Sequence, residues 1–138
     1  MSKTPRGRWL KDPRTLITRP FGVPGPYAAG YHTGVDLAVP GAARIPVVWA
    51  LKRPGRVTRV GTDPLYGRYV IVRSSAGNEY LFAHLDQVNV SARMALKSGA
   101  LIGRTGSTGN VTGDHLHLEK GKGQWRYGNV VRPPVYDY

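Results

Sequence analysis

No stretch of this chain sustains a 3.6-residue apolar period, and its apolar segments are cut within a few residues by glycine, proline or short Ser/Asn clusters. Helical bundles and helix-covered parallel sheets need long amphipathic helices, so this punctuation points away from both. The 18 glycines and 11 prolines are spread along the chain rather than pooled in one linker. Between them lie strand candidates at 47–51, 56–60, 69–73, 79–85, 101–104, 115–119 and 125–131. Ser74-Ser75-Ala76-Gly77-Asn78 is a connection of hairpin length between two of them. Over 79–85 the chain alternates, which predicts Tyr80, Phe82 and His84 on one side and Leu81, Ala83 and Leu85 on the other. Residues 90–97 are either a helix or a loop with an extended flank. The expected fold class is all-β: a mainly antiparallel sheet in one compact domain.

A chain of 138 residues is long enough for one core without staples, and the absence of cysteine excludes disulfides and thiolate metal sites. Two parts are expected. Residues 1–20 form a basic N-terminal arm, with Lys3, Arg6, Arg8, Lys11, Arg14 and Arg19 against Asp12. It reads as a solvated tail partly tied down by Trp9 and Leu10. Residues 21–138 form the domain proper. The arm is broken by Pro5, Pro13 and Pro20 and has no apolar core, so no signal peptide is expected. The longest apolar run, 47–51, is too short to span a bilayer. A net charge of +12 favours polyanionic partners. No basic recognition helix or aromatic-flanked basic motif accompanies it, which argues against a dedicated nucleic-acid binder.

The four histidines fall in three short segments: His32-Thr33-Gly34-Val35-Asp36, Phe82-Ala83-His84-Leu85 and His115-Leu116-His117-Leu118-Glu119. In extended chain, residues two or four apart share a face. His115 and His117 therefore project together, as do His32 and Asp36 if their segment is extended. Three imidazole or carboxylate donors on one face complete an open zinc site, with the fourth position left for water. Zinc lowers the pKa of such a water to roughly 7, and a nearby histidine suits the proton transfers of hydrolysis.

These blocks, in this order, resemble the lysostaphin-type zinc metallopeptidases (the M23 peptidases), which cut peptide bonds in bacterial peptidoglycan. His32-Thr33-Gly34-Val35-Asp36 is similar to the family's H-x-G-x-D, and Phe82-Ala83-His84-Leu85 to its Y-A-H-L. Gly103 to Gly109 followed by His115-Leu116-His117-Leu118-Glu119 is similar to its G-x-x-G-x-S/T-G…H-L-H-F-E. The likeness runs from Tyr31 to Tyr136. It implies that His32, Asp36 and His117 bind one Zn2+ per chain, and that His84 and His115 are the catalytic histidines. Which of the two moves the proton and which holds the oxyanion stays open. It also implies a substrate groove over the zinc. Asp114, Leu118 and Arg93-Met94 depart from the pattern at no ligand or catalytic position. Glu119 is either a support for the site or a plain strand-end carboxylate. Tyr27 and Tyr31 either reach the oxyanion or pack on the groove wall. Gly103, Gly106, Gly109 and Gly113 are expected in tight turns with positive φ.

The function implied is a zinc endopeptidase acting on peptidoglycan stems or cross-bridges. A lone catalytic domain without a signal peptide resembles a phage endolysin. That role implies a monomer held in the host cytoplasm before lysis, reaching the wall after membrane breach, with its charge giving non-specific affinity for anionic wall polymers. The alternative on the same fold is a non-enzymatic wall-binding or hydrolase-activating module.

Overall fold

The computed structural model describes residues 9–107 and 114–134, and every named element among them is a β-strand. In chain order these are β1 (Leu16–Arg19), β2 (Val35–Ala38), β3 (Pro46–Val48), β4 (Gly55–Asp63), β5 (Gly67–Ser74), β6 (Glu79–Val88), β7 (Ala95–Leu96), β8 (Leu101–Thr105), β9 (Leu116–Gly121) and β10 (Val130–Val131). All pairings are antiparallel, in the order β1-β2-β9-β6-β5-β4-β7. Residues 90–97 hold β7, not a helix. Of 125–131, only β10 is extended. The hairpin between β5 and β6 closes as expected, with Ser74 N–H donating to Asn78 O and Gly77 at φ +96°.

β6 organises the sheet. One edge pairs with β5. The other pairs with β9 from Tyr80 to Ala83 and then with β8 from Leu85 to Val88. The handover falls at His84, which sits in a bulge with φ +64° and donates its backbone N–H to Tyr66 O at 2.8 Å. A bulge adds a residue and shifts the phase of the strand beyond it. Tyr80, Phe82 and Leu85 consequently share the main core, whereas Leu81 and Ala83 pack on the opposite face with Tyr66 and Ile71. The strict alternation expected for 79–85 is therefore corrected at its last two residues. His84 leaves the Tyr80–Phe82 side and packs beside His115 and His117.

The main core is centred on Trp9, Trp49, Tyr80 and Phe82, with the Trp9 ring 5.7 Å from Trp49 and 5.5 Å from Phe82. Trp9 and Leu10 are fully buried, and Leu16–Arg19 pairs with β2 as an edge strand. From Trp9 onward the basic segment is thus part of the sheet domain; residues 1–8 lie outside the described residues. The backbone at Arg93 has φ +72°, a conformation that glycine adopts more readily, which accounts for arginine being a departure there. Gly103 and Gly106 are not in the positive-φ region. They are needed for close approach instead: a Cβ would lie 2.1 Å from Gln87 O and 2.5 Å from Asp86 N respectively. Gly109 and Gly113 lie outside the described residues.

Candidate metal centre

Alternation along two neighbouring strands builds the floor of the site. In β2, Val35 and Leu37 are buried in the core and Asp36 takes the other face; in β9, Leu116 and Leu118 are buried and His117 and Glu119 take the other face. Asp36 and His117 are direct cross-strand partners, so both side chains stand on one face. His32 precedes β2 and is clamped by its own backbone: its N–H donates to Val23 O, and its carbonyl accepts from Gly22 N–H, both at 2.9 Å. Gly34 lets this segment lie against β9. A Cβ there would meet Leu118 O at 2.4 Å and the His117 ring at 2.8 Å.

The donors converge. Asp36 Oδ1 is 2.9 Å from His117 Nδ1 and 3.3 Å from His32 Nε2, and one donor atom from each of the three residues lies within 4.8 Å of the others. The opposite nitrogen of each ring is occupied. His32 Nδ1 lies 3.0 Å from Pro20 O, a pure acceptor, which fixes a proton there and turns Nε2 inward toward Asp36. His117 Nε2 lies 2.8 Å from Glu119 Oε2 and leaves Nδ1 inward in the same way. Glu119 is fully buried and meets four donors: Thr33 Oγ1 at 2.6 Å, Tyr66 OH at 2.8 Å, Trp125 Nε1 at 2.7 Å and the His117 ring. It is a supporting carboxylate rather than a plain strand end. A carboxylate behind a ligating histidine fixes its tautomer and ring orientation.

The charges of these groups compensate one another. Burial alone would raise the Asp36 carboxyl, but hydrogen bonds from His117 and His32 outweigh it and hold the group below the usual carboxylate range. Burial would lower His117, yet its bonds to Asp36 and Glu119 push it up to about 9. Glu119 is likewise lowered against its burial, by His117 first and then by Thr33 and Trp125. Burial and the Glu119 charge push the Tyr66 hydroxyl well above its ordinary value, so it stays a donor.

The remaining two histidines flank this group. The His84 and His115 rings are 5.1 Å apart, His84 is 5.8 Å from His117, and His115 Nε2 is 3.7 Å from Asp36 Oδ1. All five residues singled out in the sequence line or floor one cleft of about 450 Å3. Tyr27 packs on its wall, 5.4 Å from the His32 ring. The Tyr31 hydroxyl donates instead to Gly128 O, which ties its loop to the chain before β10. Sequence reasoning gave no role to Thr33, Tyr66, Trp125 or Arg19. The first three converge on Glu119 from distant parts of the chain, with the Tyr66 and Trp125 rings also in contact at 5.8 Å, and Arg19 lies in the basic segment assigned to the arm. No spacing signal links these residues.

The family model for peptidase family M23 matches residues 30–132, which spans every one of these histidines and both carboxylates. The chain belongs to the M23 peptidase family. Among curated M23-like relatives, the DD-carboxypeptidase/endopeptidase Mpg of Neisseria meningitidis is 36% identical over 108 residues, covering 76% of this chain and 24% of that protein. The peptidoglycan DD-endopeptidase ShyA of Vibrio cholerae is 36% identical over 90 residues, covering 64% of this chain and 20% of that one. The chain thus spans about a quarter or less of the length of these relatives. Among solved structures, the catalytic domain of the prophage-encoded M23 protein EnpA from Enterococcus faecalis, a point mutant, superposes with a TM-score of 0.71 at 28% identity, covering 90% of this chain and 92% of that one. A zinc-containing peptidase from Vibrio cholerae gives 0.72 at 27% identity, covering 90% and 37%. The donor set suits the metal of an M23 metallopeptidase: two imidazole nitrogens and one carboxylate oxygen, with each imidazole's outer nitrogen already engaged.

Proposed function

We propose that this chain is a zinc-dependent endopeptidase hydrolysing peptide bonds in the stems or cross-bridges of bacterial peptidoglycan, with one zinc held by His32, Asp36 and His117. The observation that carries the reading is the convergence of His32 Nε2, Asp36 Oδ1 and His117 Nδ1 at the floor of a cleft, with two further histidines beside them. Bound there, zinc supplies Lewis acidity toward a water and the scissile carbonyl. Pro20 O and Glu119 keep the two imidazoles turned inward. His84 and His115 carry the proton from the attacking water to the leaving amine and hold the developing oxyanion, tasks suited to histidine near neutral pH. The wall residues Tyr27, Leu65 and Tyr127 bound the path of an extended peptide.

The peptidoglycan substrate is supported by the likeness to ShyA, and zinc by the likeness to the zinc-containing Vibrio peptidase. Phage lysis is the biological role we assign, supported by the likeness to prophage-encoded EnpA. In that role the protein acts as a monomer, waits in the host cytoplasm and meets the wall after membrane breach. Its +12 charge supplies non-specific affinity for anionic wall polymers, which weakens steeply as salt is added. A purely wall-binding module needs no such donor set. The test is mass analysis of fragments released from defined peptidoglycans, with zinc and with a chelator. New amine termini that vanish on chelation are expected; intact peptidoglycan under both conditions overturns the reading.

A further inference from the structure

The cleft contains one lysine or arginine among its described lining residues, and its placement is built rather than incidental. In β1, Ile17 pairs with Leu37 and Arg19 with Asp36, so Thr18 is an extra residue in a bulge. Without that bulge Thr18 would stand opposite Asp36. With it, Arg19 does, and the two side chains share the cleft face. The guanidinium donates through Nη1 to the Tyr27 hydroxyl and lies 5.9 Å from the centre of that ring. Tyr27 packs in turn against His32. Arg14 and Arg44 have carboxylate partners, Asp12 at 2.7 Å and Asp86 at 3.8 Å. Arg19 has none among the described residues, and Asp36 is committed to three histidines. An oriented guanidinium without an acid, beside a metal-type donor set, is complementary to a carboxylate brought by the substrate.

We propose that Arg19 reads a free carboxylate on the substrate beside the scissile bond, so that carboxylate-bearing stem cross-links are favoured over neutral glycine bridges. The inference rests on the peptidase reading above. Cross-strand partners lie about 5 Å apart and an extended peptide advances about 3.4 Å per residue. The Arg19 head therefore reaches a group one or two residues from the bond cut over Asp36. A diamino-acid cross-link has a free carboxylate at such a distance, whereas a glycine bridge offers only amides there.

The test uses two synthetic cross-linked peptides that differ only in this group, carboxylate against carboxamide. For a charge-assisted contact that stays partly hydrated, wild-type kcat/KM should favour the carboxylate by about tenfold. In Arg19→Gln the ratio should fall close to one; in Arg19→Lys it should be intermediate, because charge remains but the fork is lost. Retained zinc and an unchanged Tm show that the variants are folded. Calorimetry with the same pair made uncleavable by a reduced peptide bond should give the same ratio in affinity. A wild-type ratio of one, or a ratio that survives Arg19→Gln, overturns the assignment. If neither peptide is cut while the calorimetric ratio holds and collapses in Arg19→Gln, the peptidase reading fails and the carboxylate site stands.

Discussion

Replacing Glu119 by glutamine exchanges one carboxylate oxygen for an NH2 in a fully buried group, and its consequences can be worked from the four donors around it. Thr33, Tyr66 and His117 all converge on Oε2, and Trp125 meets Oε1. A glutamine has one acceptor oxygen. If that oxygen keeps the Oε2 position, its NH2 faces the indole N–H of Trp125, donor against donor. If it turns round, three donors lose their acceptor. The first arrangement is cheaper and strands about one buried pair, at roughly 1–3 kcal/mol. Losing the negative charge also weakens the hold on the His117 Nε2 proton, so Nδ1 is no longer fixed inward. Removing the partner behind a metal-bound histidine typically costs 10–100-fold in metal affinity or activity. We therefore expect Glu119→Gln to bind zinc roughly 10–100-fold more weakly in competition with a chromophoric chelator, and the metal-free protein to lose roughly 1–3 kcal/mol in urea unfolding. A variant with wild-type zinc affinity would refute the argument that Glu119 positions His117.

Three further outcomes follow from other parts of the structure. His84→Ala and His115→Ala should keep near-stoichiometric zinc while turnover falls about 10²–10⁴-fold for a lost acid–base group or 10²–10³-fold for a lost oxyanion donor; zinc-loaded variants cutting at the wild-type rate in single-turnover assays would remove that histidine from the mechanism. With no metal, His117 titrates at about 9 against roughly 6.5 in the unfolded chain, so its stabilisation is full below about pH 6.5 and is lost as pH rises toward 9. The Tm of the metal-free protein should fall across that window, and zinc binding at pH 7 should release close to one proton, read by calorimetry in buffers of different ionisation enthalpy. Asp36 and Glu119, held low, contribute in the opposite sense: their stabilisation is present above roughly pH 4 and is lost below it. Trp9→Ala empties the centre of the aromatic core and should cost about 3–5 kcal/mol in urea unfolding; a change under 1 kcal/mol would return the segment around Trp9 to the status of a tail.

The histidine pattern was legible because ligand spacing and strand periodicity share one arithmetic. His115 with His117, and Asp36 with Leu37 and Val35 on the opposite side, sit as two-residue alternation requires. The all-β class was legible from punctuation, since Gly77 and its neighbours close the β5–β6 hairpin. The side that His84 takes is not legible in the sequence because a bulge depends on the backbone of two flanking strands, and β6 carries no glycine or proline to announce it. Nothing in the sequence marks the edge strand β1, for a related reason. Its residues are mostly exposed, so Leu16–Arg19 shows no buried face, and only pairing with β2 defines it. The sequence leaves Glu119 between two readings because, His117 apart, its donors come from positions 33, 66 and 125, separations that no local pattern encodes.

Which residues hold the metal decides what this cleft can do. Zinc per chain should be measured after exhaustive dialysis for the wild type and for His32→Ala, Asp36→Ala and His117→Ala, with His84→Ala and His115→Ala measured beside them. The convergence of His32 Nε2, Asp36 Oδ1 and His117 Nδ1 predicts one equivalent in the wild type and in the last two variants, and loss of most zinc in the first three. A full equivalent of tightly bound zinc in His32→Ala, or its loss from His84→Ala, would contradict the assignment.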